Sequence, residues 1–132
     1  MRGWMYGLTL AAALACAPGG DSQTSSLLEQ GRQYTTWLYG SQYQKLWDRF
    51  SPDMRQTFGS VTDLASFAGK AVTRLGRERG QVDEKVEADS PLRIYTRTST
   101  FDRSTHKMLL EWTMAEDGAV TGLVLRPVVG TE

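Results

Sequence analysis

Cysteine and histidine are almost missing from this chain, which has one of each, Cys16 and His106. A lone cysteine closes no intrachain disulfide, so the fold must rest on packing and hydrogen bonds. A single Cys and a single His cannot form the common zinc sets, and any nucleophile–histidine pair would have to be built around His106. Excess charge is missing too. Fifteen basic residues balance fifteen acidic ones without a run of like charge, so bulk electrostatics offers nothing to nucleic acid or to an anionic membrane. There is no Gly-rich phosphate loop, no GxSxG elbow and no internal repeat. The longest uncharged apolar run, Trp4 to Ala15, is shorter than the ~20 residues of a membrane-spanning helix. No cofactor and no metal is expected from this inventory.

That apolar run is still the most specific signal present. Met1-Arg2 supplies a short positive start, and the small residues of Ala13-Leu14-Ala15 precede Cys16, the pattern of an export signal over residues 1–15. Small residues before a cysteine resemble a bacterial lipobox, in which the thiol is lipidated and becomes the mature N-terminus. The match is partial, because the large aliphatic residue usual three places before the cysteine is Ala13 here. Three outcomes stay open: a lipoprotein anchored at the cell envelope through Cys16, which this reading favours, a plainly secreted or periplasmic protein, or an N-terminal helix buried in the fold. Residues 16–25, rich in Pro, Gly, Ser, Gln and Thr, read as a flexible tether. Residues 26–132 are enough for one domain with one core.

Within that domain, cap chemistry predicts helices first. Ser26 with Glu29 has capping-box spacing and opens a helix whose Leu27, Tyr34 and Leu38 share a side, with Gly31 between them and Gly40 as its stop. Ser41 with Gln44 suggests a second start, followed by the stripe Tyr43, Leu46, Trp47 and Phe50. Ser51-Pro52-Asp53 is a third, closing at Gly59. Ser60 with Asp63 opens the longest pattern, with Leu64, Phe67, Ala68, Ala71 and Leu75 as its apolar stripe and Gly76 as its end. Beyond Gly80 the period becomes two. Val82 and Val86 alternate with Asp83, Lys85 and Glu87, as on an edge strand. Leu92 to Phe101 is the next strand, with Ile94 on one face and Tyr95 and Phe101 on the other, so it is either covered on both sides or bulged.

The last stretch, Lys107 to Val129, reads as a hairpin around Asp117-Gly118. A two-residue type I′ loop there requires positive φ at both positions. The register then opposes Glu116 to Ala119, Met114 to Thr121, Trp112 to Leu123 and Leu110 to Leu125. Met108, Leu110, Trp112, Met114, Leu123 and Leu125 form the core face, and Leu109, Glu111, Thr113, Val124 and Arg126 form a mixed outer face. Helices followed by strands predict an α+β fold, with an antiparallel sheet covered on one face by helices.

Few residues suggest chemistry. His106, beside Ser104 and Thr105 in a polar loop, reads as a solvated histidine rather than a general base. Asp83, Glu84, Glu87 and Asp89 lack EF-hand spacing and read as an exposed strand edge rather than a cation site. Glu111 and Arg126 read as a surface charge pair, with a polar spot on a binding surface as the sharper alternative. Tyr43, Trp47, Tyr95 and Trp112, with Phe67, are candidates to line a ligand pocket between helices and sheet, although aromatic residues at such spacing more often fill a core.

Trp37-Leu38-Tyr39-Gly40-Ser41-Gln42-Tyr43, Leu46-Trp47, Phe50-Ser51-Pro52-Asp53-Met54 and the run from Glu116-Asp117-Gly118-Ala119-Val120-Thr121-Gly122-Leu123 to Pro127 resemble the bacterial domain of unknown function 3887 family. That family resembles members of the nuclear transport factor 2-like superfamily. The resemblance spans most of Ser26 to Pro127 and implies helices packed on a curved antiparallel sheet, the cone, with a pocket on its concave face. It also implies two function classes. One is a noncatalytic module that binds a small apolar ligand or an envelope protein partner, with a homodimer through the sheet as a further option. The other is a small isomerase- or dehydratase-like enzyme, with an acid such as Glu111 and a pocket tyrosine transferring protons, or a detached accessory domain of a serine hydrolase; no catalytic motif of such enzymes maps onto residues here.

Lipidation at Cys16 predicts that the chain takes up labelled palmitate in a bacterial host and that Cys16→Ser abolishes uptake. Label retained by the Ser variant would remove the anchor.

Overall fold

Hydroxyl caps and helix-ending residues divide the first half of the chain into helices. In the computed structural model, which describes residues 19–88 and 91–129, these are α1 (Gly19–Tyr39), α2 (Tyr43–Trp47), α3 (Pro52–Phe58) and α4 (Val61–Leu75). They precede β1 (Glu78–Glu87), β2 (Arg93–Phe101), β3 (Met108–Met114) and β4 (Val120–Pro127). The strands pair in sequence order as one antiparallel sheet with β1 and β4 at its edges, the expected α+β arrangement.

Two of the expected caps form as the sequence predicts. Ser51 Oγ accepts the Met54 N–H at 3.2 Å, with Pro52 in the first turn, and Ser60 Oγ accepts the Asp63 N–H at 3.1 Å. The other two do not. α1 begins at Gly19 rather than Ser26, so residues 19–25, expected as tether, continue the helix. Ser41 caps nothing. It takes left-handed φ of 64° just past α1, where Gln42 N–H reaches back to Trp37 O at 2.8 Å and Gly40 N–H to Thr36 O at 2.9 Å. The Gln42-to-Trp37 bond is the 6→1 bond of a Schellman end, with serine at the left-handed position where glycine is usual. α2 is consequently short, and Phe50 leaves it to form a single bridge with Val120.

The hairpin differs from expectation at its tip. The loop has three residues, not two: Gly118 N–H bonds Ala115 O at 2.9 Å, and Ala115 N–H bonds Ala119 O at 2.9 Å. Of Asp117 and Gly118, only Gly118 has positive φ, at 90°. A type I turn closed by a left-handed glycine replaces the type I′ turn, with Asp117 Oδ1 holding the Ala119 N–H at 3.0 Å. The tip register is therefore Met114 to Val120, and Thr121 is a bulge that restores the expected pairs Trp112–Leu123 and Leu110–Leu125. The bulge turns Val120 inward, where it is fully buried, and Thr121 outward.

The core lies between the helices and one face of the sheet. Leu27, Tyr34 and Leu38 of α1 are buried against Tyr95, Leu110, Trp112 and Met114, with Leu46, Leu64 and Ala68 closing it. Trp112 Nε1 donates to Thr35 Oγ1 at 3.0 Å, and Thr35 Oγ1 donates to Gly31 O at 2.8 Å. Tyr34 OH donates to Gly118 O at 2.7 Å, which fastens the hairpin tip to α1. Gly31 is the point of closest approach, because an added Cβ would overlap the Tyr95 ring.

Glycine inside a helix costs about 1 kcal/mol relative to alanine, so Gly→Ala is ordinarily favourable there. Gly69 of α4 meets nothing nearer than Tyr43 OH at 4.0 Å, and Gly69→Ala should stabilise by up to about 1 kcal/mol. Gly31→Ala should destabilise by about 1–3 kcal/mol through overpacking. Urea melts of the two variants read this directly, and shifts of the same sign would contradict the packing at Gly31.

Candidate functional site: a cavity beneath the fourth helix

Small side chains on the inner face of α4 leave space above the sheet. Ala68, Ala71 and Leu75 of α4 face Leu123 and Leu125 of β4 and Phe101 of β2, and Leu38 and Tyr39 close the end provided by α1. The result is a cavity of about 530 Å³ with mostly apolar walls. Next to it lies a recess that shares Phe67, Ala71, Leu75 and Leu125 and adds Asp63, Lys70, Arg74, Met108 and Pro127. Phe67, expected as part of the buried stripe, is 44% exposed because it stands on the border of these two spaces.

Of the five aromatic pocket candidates Phe67 lines the cavity, and the other four lie elsewhere. Tyr95 and Trp112 are fully buried in the core, and Tyr43 and Trp47 pack partly buried against it. None of the four lines the cavity, because α1 lies directly over Tyr95 and Trp112 while the open space is farther along, under α4.

Beside the cavity runs a polar chain that the sequence reading missed. Arg32 of α1 grips Glu84 of β1 with two bonds, Nε to Oε2 at 2.9 Å and Nη2 to Oε1 at 2.7 Å. Tyr95 OH donates to Glu84 Oε2 at 2.6 Å, and Arg97 Nη1 donates to Tyr95 OH at 3.3 Å. Arg97 then grips Glu78 at 2.9 and 2.7 Å, and Ser99 Oγ donates to the same carboxylate. Glu84 was expected on an exposed edge; its side chain is 8% exposed. Parity was the available signal, since Glu84 sits two residues from Val86 on the inward face, where a carboxylate needs partners. Asp83, Lys85 and Glu87 are exposed as expected, and Asp89 lies outside the described residues.

The electrostatics follow from these contacts. The Arg32 hydrogen bonds hold the Glu84 carboxyl down at about 2 against the opposing effect of burial, with Tyr95 assisting. Burial, with the Glu84 bond, pushes the Tyr95 phenol up to about 12. Glu78 lies on the cavity wall; burial pushes its carboxyl up, but Arg97 and Ser99 outweigh burial and hold it below its ordinary value. Burial pushes the Tyr39 phenol, also on that wall, well above its ordinary value.

The other candidates stand apart. Glu111 is on the outer face of β3, opposite the helices, and is not a wall residue of the cavity. Glu111 and Arg126 are not among the ion pairs of the described residues. His106 is exposed in the β2–β3 loop, where its N–H and C=O bond Ser104 Oγ. Among the described residues no group of three His, Cys, Asp or Glu could hold a metal ion, and no helix is long and apolar enough to cross a membrane. Cys16 and residues 1–15 lie outside the described residues. Compared with known proteins, the chain matches no family model, no curated protein and no solved structure.

A carboxylate with a depressed folded pKa contributes stability that is present above its unfolded value, about 4.5, and lost as pH falls toward the folded value of about 2. Glu84→Gln should therefore lower stability near neutral pH, and the gap from the parent should shrink as pH falls from about 4.5 toward 2. Urea melts across that window measure the gap, and a constant difference would show that the Glu84 charge is not what Arg32 and Tyr95 stabilise.

Proposed function

We propose that this domain is a binding module that holds a small apolar ligand in the cavity beneath α4. The observation that carries this is the cavity itself. About 530 Å³ of mostly apolar space lies within the range of small-molecule sites, and a well-packed core leaves few voids larger than a water molecule. Its walls come from three places in the fold, the end of α1, the length of α4 and the inner face of the sheet, so the site is preformed by the packing. The proton-transfer alternative would need a cavity acid kept protonated near neutrality. Glu78, the half-buried carboxylate on the wall, is held in the opposite direction, and Glu111 is on the other face of the sheet.

The helices-then-sheet order also supports assigning the fold to the nuclear transport factor 2-like cone, with the cavity as its concave pocket. The export signal and Cys16 support placing the domain at the bacterial cell envelope as a lipoprotein. Both assignments belong to the same proposal.

N-phenylnaphthylamine, a neutral dye that brightens in apolar surroundings, should bind the purified chain, and Ala71→Phe should weaken binding about tenfold or more by filling the space that Ala71 lines. A thermal melt should show the variant folded. Absence of dye binding by the parent, or unchanged binding by a folded Ala71→Phe, would overturn the reading.

A further inference from the structure

An exposed part of the cavity lining, Thr73, Arg77, Asp102 and Arg103, lies where α4 ends, and basic side chains gather at this mouth. Two backbone bonds join the loop after α4 to the turn after β2: Asp102 N–H to Arg77 O at 2.9 Å, and Arg103 N–H to Leu75 O at 2.8 Å. Gly76 packs directly under that turn, where a Cβ would stand 3.0 Å from Arg103 Cγ and 3.1 Å from Asp102 Cβ. Arg77 and Arg103 are thereby held at the same mouth, and both line the cavity.

The acids at this mouth are already engaged. Both oxygens of Glu78 bond Arg97, and Asp102 stands 3.6 Å from Arg79. Among the described residues no carboxylate lies within ion-pair distance of Arg77 or Arg103, and Arg103 uses one N–H on Thr73 O at 3.2 Å. The adjoining recess carries Lys70 and Arg74, with Asp63 bonded to the Ser60 hydroxyl at 3.1 Å. An apolar space with uncompensated cations at its opening is complementary to a molecule with an apolar body and an anionic end. Guanidinium groups suit that end because their planar N–H fork matches carboxylate and phosphate oxygens. The cavity and the recess share Phe67, Ala71, Leu75 and Leu125, so apolar lining extends along α4 on both sides of these residues, which suits an extended chain better than a compact ring system.

We infer that the ligand is a single-chain amphiphile with an anionic head, its tail along α4 and its head between Arg77 and Arg103. This rests on the cavity being a ligand site, and the test separates the two claims. The full chain is titrated with palmitate, monoacyl glycerophosphate and the neutral hexadecanol, each displacing N-phenylnaphthylamine, and with phosphatidylglycerol vesicles. Palmitate or monoacyl glycerophosphate should bind at least about tenfold tighter than hexadecanol, and the tighter of the two names the head as carboxylate or phosphate. The double variant Arg77→Gln/Arg103→Gln should erase that preference, so that palmitate, monoacyl glycerophosphate and hexadecanol bind the variant alike, and a thermal melt should show it folded; a preference that survives in the folded variant would overturn the placement of the head. Equal binding of charged and neutral chains by the parent would overturn the anionic head and leave the cavity intact. Binding of none of them, dye included, would overturn the cavity reading itself. Vesicle binding that survives Ala71→Phe but is lost in the arginine variant would place these arginines on a membrane surface instead of over a buried tail, and would likewise overturn the inference.

Discussion

Helix α1 can lie on the sheet because residue 31 has no side chain. The Tyr95 ring occupies the space where a Cβ would stand, and every other contact of that helix follows from this approach. Thr35, one turn on, comes within hydrogen-bond reach of the Trp112 indole, and Tyr34 reaches the carbonyl at the hairpin tip. Arg32, on the adjacent face, reaches across to β1. A helix held even slightly farther away would leave an indole N–H and a phenol O–H buried without partners, and each unsatisfied group costs about 1–3 kcal/mol. Close packing and polar satisfaction thus demand the same position, which is how a sequence selects one arrangement over its near neighbours.

The chain of charges beside that contact has a different role. Taking carboxylates and guanidinium groups out of water is costly, and a paired set of this kind often adds little net stability over an apolar equivalent. Its effect is on register. Each member has a partner on a different element: Arg32 on α1, Glu84 and Glu78 on β1, and Tyr95, Arg97 and Ser99 on β2. β1 contains two bulges, so its pairing with β2 is not set by a regular ladder. Sliding β1 by one residue would turn Glu84 and Glu78 to the outer face and leave Arg97 half-buried without a counter-charge. An edge strand with as little buried apolar surface as this one, where Val82 is 52% exposed, needs such a constraint, because hydrophobic burial alone would barely distinguish one register from the next.

The readable parts of the fold were those fixed by local chemistry. Ser51-Pro52-Asp53 and Ser60 with Asp63 start helices because their hydroxyls reach amides three residues on, and no distant residue competes. The inward set Leu110, Trp112 and Met114 followed from period two. What the sequence left hidden required partners far along the chain. Asp-Gly is compatible with both a two-residue and a three-residue loop, and the choice made here brings Gly118 O to Tyr34 and Val120 to Phe50, contacts that local propensity cannot register. Ser41 was readable as a cap and serves as a left-handed end because Gly40, its neighbour, keeps ordinary φ. Four of the five aromatic pocket candidates, Tyr43, Trp47, Tyr95 and Trp112, belong to the core, and only Phe67 stands at the cavity, for a physical reason: large rings fill space, whereas a cavity opens where side chains are small. The space itself is left by Ala68 and Ala71 opposite Leu123 and Leu125, residues whose spacing carries no distinctive signal.

That small-residue character is also the argument for treating the cavity as functional. The space above Leu123 and Leu125 is lined on the helix side by Ala68 and Ala71, positions where a leucine or phenylalanine would keep the apolar stripe of α4 and close the gap. Burying apolar surface contributes about 25 cal/mol for each Å², and an open apolar groove forgoes that contribution on both walls. Phe67 remains 44% exposed at the edge of the same gap, which compounds the loss. Elsewhere the chain packs tightly enough to exclude a single Cβ at residue 31, so loose packing is not a general property of this core. A space left open in one place, beside tight packing in another, is the observation on which the proposed ligand site rests.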